Sequence, residues 1–333
     1  MTDWRHVYRW DLDKTYLETH FESLSRLVRI AFEKPEEKVN VPGSAALLRE
    51  LSRPREGVMP NRVCIVSGSP TQMRKVLEQK LALDGVTWHE FHLKPQWDNL
   101  RRGRLRAVRD QVGYKLPLLL ESRANVAAGT GETLFGDDAE ADGFIYSLYA
   151  DVLAGRLDSA QMVRILKAAG AYPDAIERCV AAASALERAD DVERIFVILD
   201  KRSPPANFRA LGSRLVPVFN YFQAALVLFA GGHLDAAAVI GITRAFLEED
   251  RHPVDELANC FQDIVRRGHL PGSAMQELGL AVQEQIEATA EREVIWNCVQ
   301  RFMDLGEARA FRKPQGPDAT EYLSLLDALK RRS

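Results

Sequence analysis

The chain has 333 residues, enough for two domains with cores of their own, and 46% of them are hydrophobic, which excludes a disordered chain. The formal net charge is -3. Either side of residue 150 the counts are 22 Lys+Arg against 21 Asp+Glu, then 22 against 26, so neither half has the bulk charge of a nucleic-acid binder. Cys64, Cys179, Cys260 and Cys298 stand apart, with no C-x-x-C pair; this argues against a disulfide framework or structural zinc and for buried thiols in a reducing compartment.

In chain order, residues 6–10 are short, aromatic and β-branched and read as a strand. Leu17, Phe21, Leu24, Leu27, Val28 and Ala31 fall at helical spacing and predict a helix over 17–32. A short helix is expected over 45–51. Residues 63–66 form a continuous apolar run ending in Ser-Gly-Ser-Pro, as a buried parallel strand does. A helix over 70–83, a strand over 86–93 and a short strand over 133–135 follow. Strands alternating with helices predict a parallel sheet covered on both faces, with ligands at the carboxyl ends of its strands.

After about residue 150 helical periodicity and Ala-rich segments dominate. The apolar run 195–199 sits inside this pattern and is read as helix. The stretch 215–231, interrupted by Pro217, Asn220 and Gln223, falls short of the ~20 apolar residues of a membrane span and is expected to be a buried helix. With no apolar signal-peptide core at the start, a cytoplasmic protein is expected, with peripheral membrane contact left open. The expected organisation is an α/β domain over 1–155 and an all-α domain of unassigned role over 156–333.

Four features carry chemistry. Asp11 and Asp13, in Asp11-Leu12-Asp13-Lys14-Thr15, follow the first strand, and paired acids in different environments suit nucleophile and acid/base roles. Ser67 ends the next strand, where a hydroxyl and nearby backbone N–H groups can hold a phosphoryl oxygen. Lys115 offers an ammonium that neutralises both a carboxylate and a phosphate. Asp137, Asp138, Glu140 and Asp142 form an acid cluster after a short strand, and with Asp11 they suit a hard cation such as magnesium. Taken singly, each feature is weak: the acid pair, the serine and the acid cluster also read as ordinary turns, and Lys115 by itself reads as a solvated surface lysine.

Their order and spacing resemble the haloacid-dehalogenase-like (HAD-like) superfamily. Residues 5–155 further resemble the catalytic domain of the actin-patch phosphatidate phosphatase family. That likeness runs through Asp11-Leu-Asp-Lys-Thr, Val41-Pro-Gly-Ser, Ser67-Gly-Ser-Pro, Leu93-Lys-Pro, Lys115 and the run from Gly136 to Tyr146. Lys14, Gly68, Asp138, Ala139 and Gly143 depart from that family's pattern without removing a catalytic group. The resemblance implies a Rossmann-type parallel sheet and attack by Asp11 to give an aspartyl-phosphate. It assigns Asp13 to acid/base work and Ser67 and Lys115 to the phosphoryl oxygens. Thr15, Gly68 and Ser69 would contact substrate, and Asp11, Asp13, Asp137 and Asp142 would hold Mg2+. The expected function is a magnesium-dependent phosphatase acting on phosphatidate or another anionic lipid phosphate. The alternatives are a soluble sugar or nucleotide phosphatase, and a non-catalytic scaffold binding a protein partner through its helical half.

Residues 62–115 hold 11 Lys+Arg against 5 Asp+Glu, densest at Arg101, Arg102, Arg104, Arg106 and Arg109. Such a run steers an anionic ester or an anionic membrane surface, or is a solvated helix face. Little aromatic residue interleaves it, so no nucleic-acid partner is expected.

Overall fold

The computed structural model describes residues 3–18, 34–95, 111–139, 141–201, 203–248, 253–285 and 316–332. The helix expected over 17–32 and the basic run from Arg101 to Arg109 lie almost wholly outside them.

Six strands form one sheet: β1 (Val7–Trp10), β2 (Arg62–Pro70), β3 (Glu90–Lys94), β4 (Glu132–Asp137), β5 (Val192–Ile198) and β6 (Leu215–Val218), in the order β3-β2-β1-β4-β5-β6. The neighbours from β3 through β5 pair in parallel. The strands are short apolar runs because both faces are covered, and β1 and β4 are buried along their whole length. Interleaved helices give a Rossmann-like α/β architecture. They include α2 (Arg74–Leu83), α3 (Val112–Arg123), α4 (Asp142–Leu153), α5 (Ser159–Ala169) and α6 (Pro173–Ala185); α1 (Ser44–Ser52), between β1 and β2 in the chain, belongs to the second unit.

Two expectations need correction. The run at 195–199, expected as helix, belongs to β5, which pairs with β4 from Thr133↔Arg194 to Asp137↔Ile198. A short buried apolar run looks alike in either state, and the pairing partner decides it. The stretch 215–231 is not one helix. It is β6 followed by α7 (Tyr221–Ala230), separated by Asn220, whose side chain accepts the Gln223 N–H at 3.1 Å and caps the new helix.

The chain divides into two compact units, and not at 155/156 as expected. One comprises Met1–Val39, Ser52–Pro217 and Pro314–Ser333, and the other Asn40–Leu51 and Val218–Lys313. The sheet carries the first unit well past residue 155. Its last helix, α11 (Ala319–Arg332), belongs to this unit: buried Tyr322 meets Phe144 edge-on and donates to Asp151 Oδ2 at 2.6 Å.

In the second unit α1 joins helices that follow α7: α8 (Ala236–Glu248), α9 (Val254–Arg266) and α10 (Gly272–Gln285). Gly43, at φ 76°, is required there. A Cβ on it would stand 2.1 Å from the Phe246 ring. The Gln223 amide donates to the Cys260 carbonyl at 2.8 Å and to Asp263 Oδ2 at 3.0 Å, which satisfies a fully buried carboxamide. Among the described residues, no helix is long and apolar enough to cross a membrane.

The centre of the sheet is held differently on its two faces. On one, Trp10, Phe135 and Phe196 stand at paired positions of β1, β4 and β5 and stack, with centroids 3.9 and 5.0 Å apart. On the other lies a buried ion network that sequence pattern did not announce. Arg9 donates to both Glu132 oxygens, from Nε at 3.0 Å and Nη2 at 2.9 Å, and to Ser122 Oγ at 2.7 Å. Glu132 also accepts from Arg123 at 2.9 Å and from the Tyr149 hydroxyl at 2.7 Å. Arg123 continues to Asp191, and Ser122 to Glu90, which Arg62 also meets. Burial pushes the Glu132 carboxyl up, but Arg9, Arg123 and the hydrogen bonds outweigh it and bring it down to about 2.

Candidate active site

The strand order reverses at β1: the chain runs outward through β2 and β3, then crosses back to place β4 against the other side of β1. Parallel sheets form their ligand crevice at such a point, beyond the carboxyl ends of the strands. Asp11 follows the last residue of β1, Ser67 lies in β2, and Asp137 ends β4. All three are buried. The Asp11 N–H bonds the Phe135 carbonyl at 3.0 Å, so its backbone is still tied to the sheet.

The loop after Asp11 curls at once. The N–H groups of Tyr16 and Leu17 both bond the Leu12 carbonyl at 2.9 Å. Lys14 makes the turn at φ 58° and is the one non-glycine residue with positive φ among those described. A lysine there carries about 1 kcal/mol or more of strain, of the kind found at functional loops. The Tyr16 hydroxyl pins the turn to Asp84 Oδ2 at 2.6 Å, and Lys80 holds the other oxygen of Asp84 at 2.7 Å. Thr15 is fully buried within this turn.

Asp13 meets β2. Its register with β3 slips between Ser67 and Pro70, and the irregularity turns both serine hydroxyls toward one carboxylate. Ser67 Oγ donates to Asp13 Oδ2 at 2.9 Å, and Ser69 Oγ lies 2.9 Å from both Asp13 oxygens. Ser67 Oγ in turn accepts the Ser69 N–H at 2.9 Å. Ser69 was expected to touch substrate; its hydroxyl holds Asp13.

Lys115 reaches the crevice from the first turn of α3, fully buried. Its Nζ lies 3.0 Å from Asp11 Oδ1 and 2.5 Å from Asp142 Oδ1. Asp142 opens α4 and folds back over Gly136, where a Cβ would come within 2.5 Å of its carboxylate; only glycine lets the two approach. The Asp137 N–H points to Asp142 Oδ2 at 3.4 Å, while Asp137 Oδ1 accepts the Ala139 N–H at 2.6 Å.

Carboxylate oxygens of Asp11, Asp137 and Asp142 lie within 4.8 Å of one another. The side chain of Asp13, expected to share in metal binding, is not in this group. Asp138 is also elsewhere: its oxygens accept the N–H groups of Lys201 at 2.8 Å and Ser203 at 3.1 Å, tying this loop to the one after β5. Glu140 lies outside the described residues. Three converging carboxylates repel one another, and Lys115 answers two of them. An all-oxygen donor set of this kind suits a hard divalent cation that keeps some of its water, so the residues present fit Mg2+.

Two residues that sequence reasoning passed over belong here. Tyr114 donates to the Ser67 carbonyl at 2.9 Å and covers the Lys94 ammonium, 5.3 Å from its ring centre. Burial pushes its phenol well above the usual range, so the hydroxyl remains a donor. Gln111, at the start of α3, lays its carboxamide against Gly68. Both stand within one turn of Lys115, which was the available signal.

The fold and cluster define a Rossmann-like α/β protein with a buried carboxylate–lysine site at its topological switch point. No protein-family model, no curated protein and no solved structure matches the chain.

Proposed function

We propose that this chain is a magnesium-dependent phosphomonoester hydrolase of the HAD-like type, working through an aspartyl-phosphate on Asp11. The observation that carries the proposal is the contact of fully buried Asp11 with Lys115 at 3.0 Å, beside Asp137 and Asp142, at the point where the strand order reverses. A carboxylate so placed is fixed, shielded from bulk water and paired with a cation that attracts the phosphate.

Asp11 attacks phosphorus as the bond to the alkoxy oxygen breaks, and Asp13 gives that oxygen its proton. Asp13 then takes a proton from water as the water attacks the aspartyl-phosphate, which releases phosphate and restores Asp11. Lys115 stands against the charge that builds on the phosphoryl oxygens. The Ser67 and Ser69 hydroxyls orient Asp13. Asp11, Asp137 and Asp142 would hold Mg2+, which supplies charge neutralisation at the phosphoryl group.

Phosphate release from p-nitrophenyl phosphate with and without chelator, in wild type and Asp11→Asn, tests this. Release that needs magnesium and disappears in the variant is expected. Equal release from the variant would sink the mechanism.

A further inference from the structure

The pairing of β2 with β3 slips beside Asp13. Ser67 pairs with Leu93 and Pro70 with Lys94, so Gly68 and Ser69 are extra to the ladder. Residues inserted in this way lose their ladder partners and are held by other groups. The Ser69 N–H bonds Ser67 Oγ at 2.9 Å. Ser67 Oγ lies 2.9 Å from Asp13 Oδ2, and Ser69 Oγ 2.9 Å from both Asp13 oxygens. The aim of both hydroxyls therefore depends on the slip being kept.

Tyr114 spans it. On one side its hydroxyl donates to the Ser67 carbonyl at 2.9 Å. On the other its ring centre stands 5.3 Å from Nζ of Lys94, the residue at which pairing resumes. Lys94 is buried, and an ammonium out of water is attracted to an aromatic face. Burial pushes the Tyr114 phenol well above its usual range, so the hydroxyl stays a donor. The next residue is Lys115, whose Nζ lies 3.0 Å from Asp11 Oδ1. The first turn of α3 thus reaches both acids. It meets Asp11 directly, and Asp13 through the Ser67 carbonyl and the two serine hydroxyls.

We infer that Tyr114 is a positioning residue for Asp13: by holding the Ser67 carbonyl it keeps β2 slipped and both serine hydroxyls on the acid. This rests on the hydrolase proposed above and concerns its leaving-group step. Proton transfer to the departing oxygen needs the acid within hydrogen-bond reach, and a small displacement of the acid weakens it.

The test compares two esters that differ in their need for that proton. An alkoxide departs poorly without it, whereas p-nitrophenolate departs unaided. Values of kcat/KM for n-propyl phosphate and p-nitrophenyl phosphate are measured in wild type and Tyr114→Phe, which keeps the ring over Lys94. This constant covers the steps up to the aspartyl-phosphate, so the later attack of water does not enter it. The ratio of the two constants is expected to move about tenfold against propyl phosphate, the effect of one lost hydrogen bond. Tyr114→Met and Ser69→Ala, each checked by circular dichroism, are expected to move it in the same direction. Asp13→Asn is expected to move it further. A merely structural tyrosine lowers both constants alike. An unchanged ratio in the folded Tyr114 variants, beside a shifted ratio in Asp13→Asn, overturns the inference and leaves the hydrolase standing. An unchanged ratio in Asp13→Asn, or folded wild type that cleaves neither ester, overturns both.

Discussion

Glu132→Gln is the sharpest test of how this sheet is held together. The carboxylate accepts four hydrogen bonds: two from Arg9, one from Arg123 and one from Tyr149. It is 0% exposed and Arg9 only 1%. The glutamine keeps the shape but removes the charge, and its NH2 faces donors where an oxygen stood. The buried guanidinium of Arg9 then loses its counter-charge. Breaking a buried pair from one side costs about 3–5 kcal/mol. A carboxyl lowered from 4.5 to about 2 corresponds to about 3 kcal/mol, which agrees. For a unit of this size that is about 10 °C in the midpoint. The assay is calorimetry of wild type, Glu132→Gln, Arg9→Met and the double variant. The double variant is expected to cost less than the sum of the singles, because neither charge is left stranded. A drop of under about 1 kcal/mol in Glu132→Gln would refute the reasoning and mean that water reaches the network.

Three further outcomes follow from the same geometry. Glu132 and Glu90 are both lowered from 4.5 to about 2, so their contribution to stability is complete above about pH 4.5 and is lost as pH falls toward 2; acid unfolding monitored by circular dichroism should fall in that window, and unfolding complete above it would contradict the assignment. Magnesium should stabilise wild type against unfolding by about 2.7 kcal/mol at a hundredfold excess over Kd, and Asp142→Asn should cut that gain; an unchanged gain would remove Asp142 from the site. Gly136→Ala should cost about 1–3 kcal/mol and most of the magnesium response, since the new methyl meets Asp142; a variant indistinguishable from wild type in calorimetry would show that the loop yields freely.

The primary structure determined the alternation of strand and helix in the first half and pointed to the acids and the lysine that the fold brings together. Asp11, Ser67 and Asp137 each follow or end a run of apolar, β-branched residues, a local signal that does not depend on the rest of the chain. It could not separate β5 from a helix, because four or five buried apolar residues satisfy either period and only pairing with β4 decides between them. Nor did it place Asn220 as the break between β6 and α7, or draw α1 into a unit with helices nearly 200 residues later. Those choices depend on which surfaces meet. The partners of Ser69 and Asp138 depend on the same thing: each side chain was legible as polar, but its partner is brought to it from another strand or loop. Charge shows the same limit most clearly, since Arg9 and Glu132 look like surface residues in sequence and become core residues only because each finds the other across the sheet.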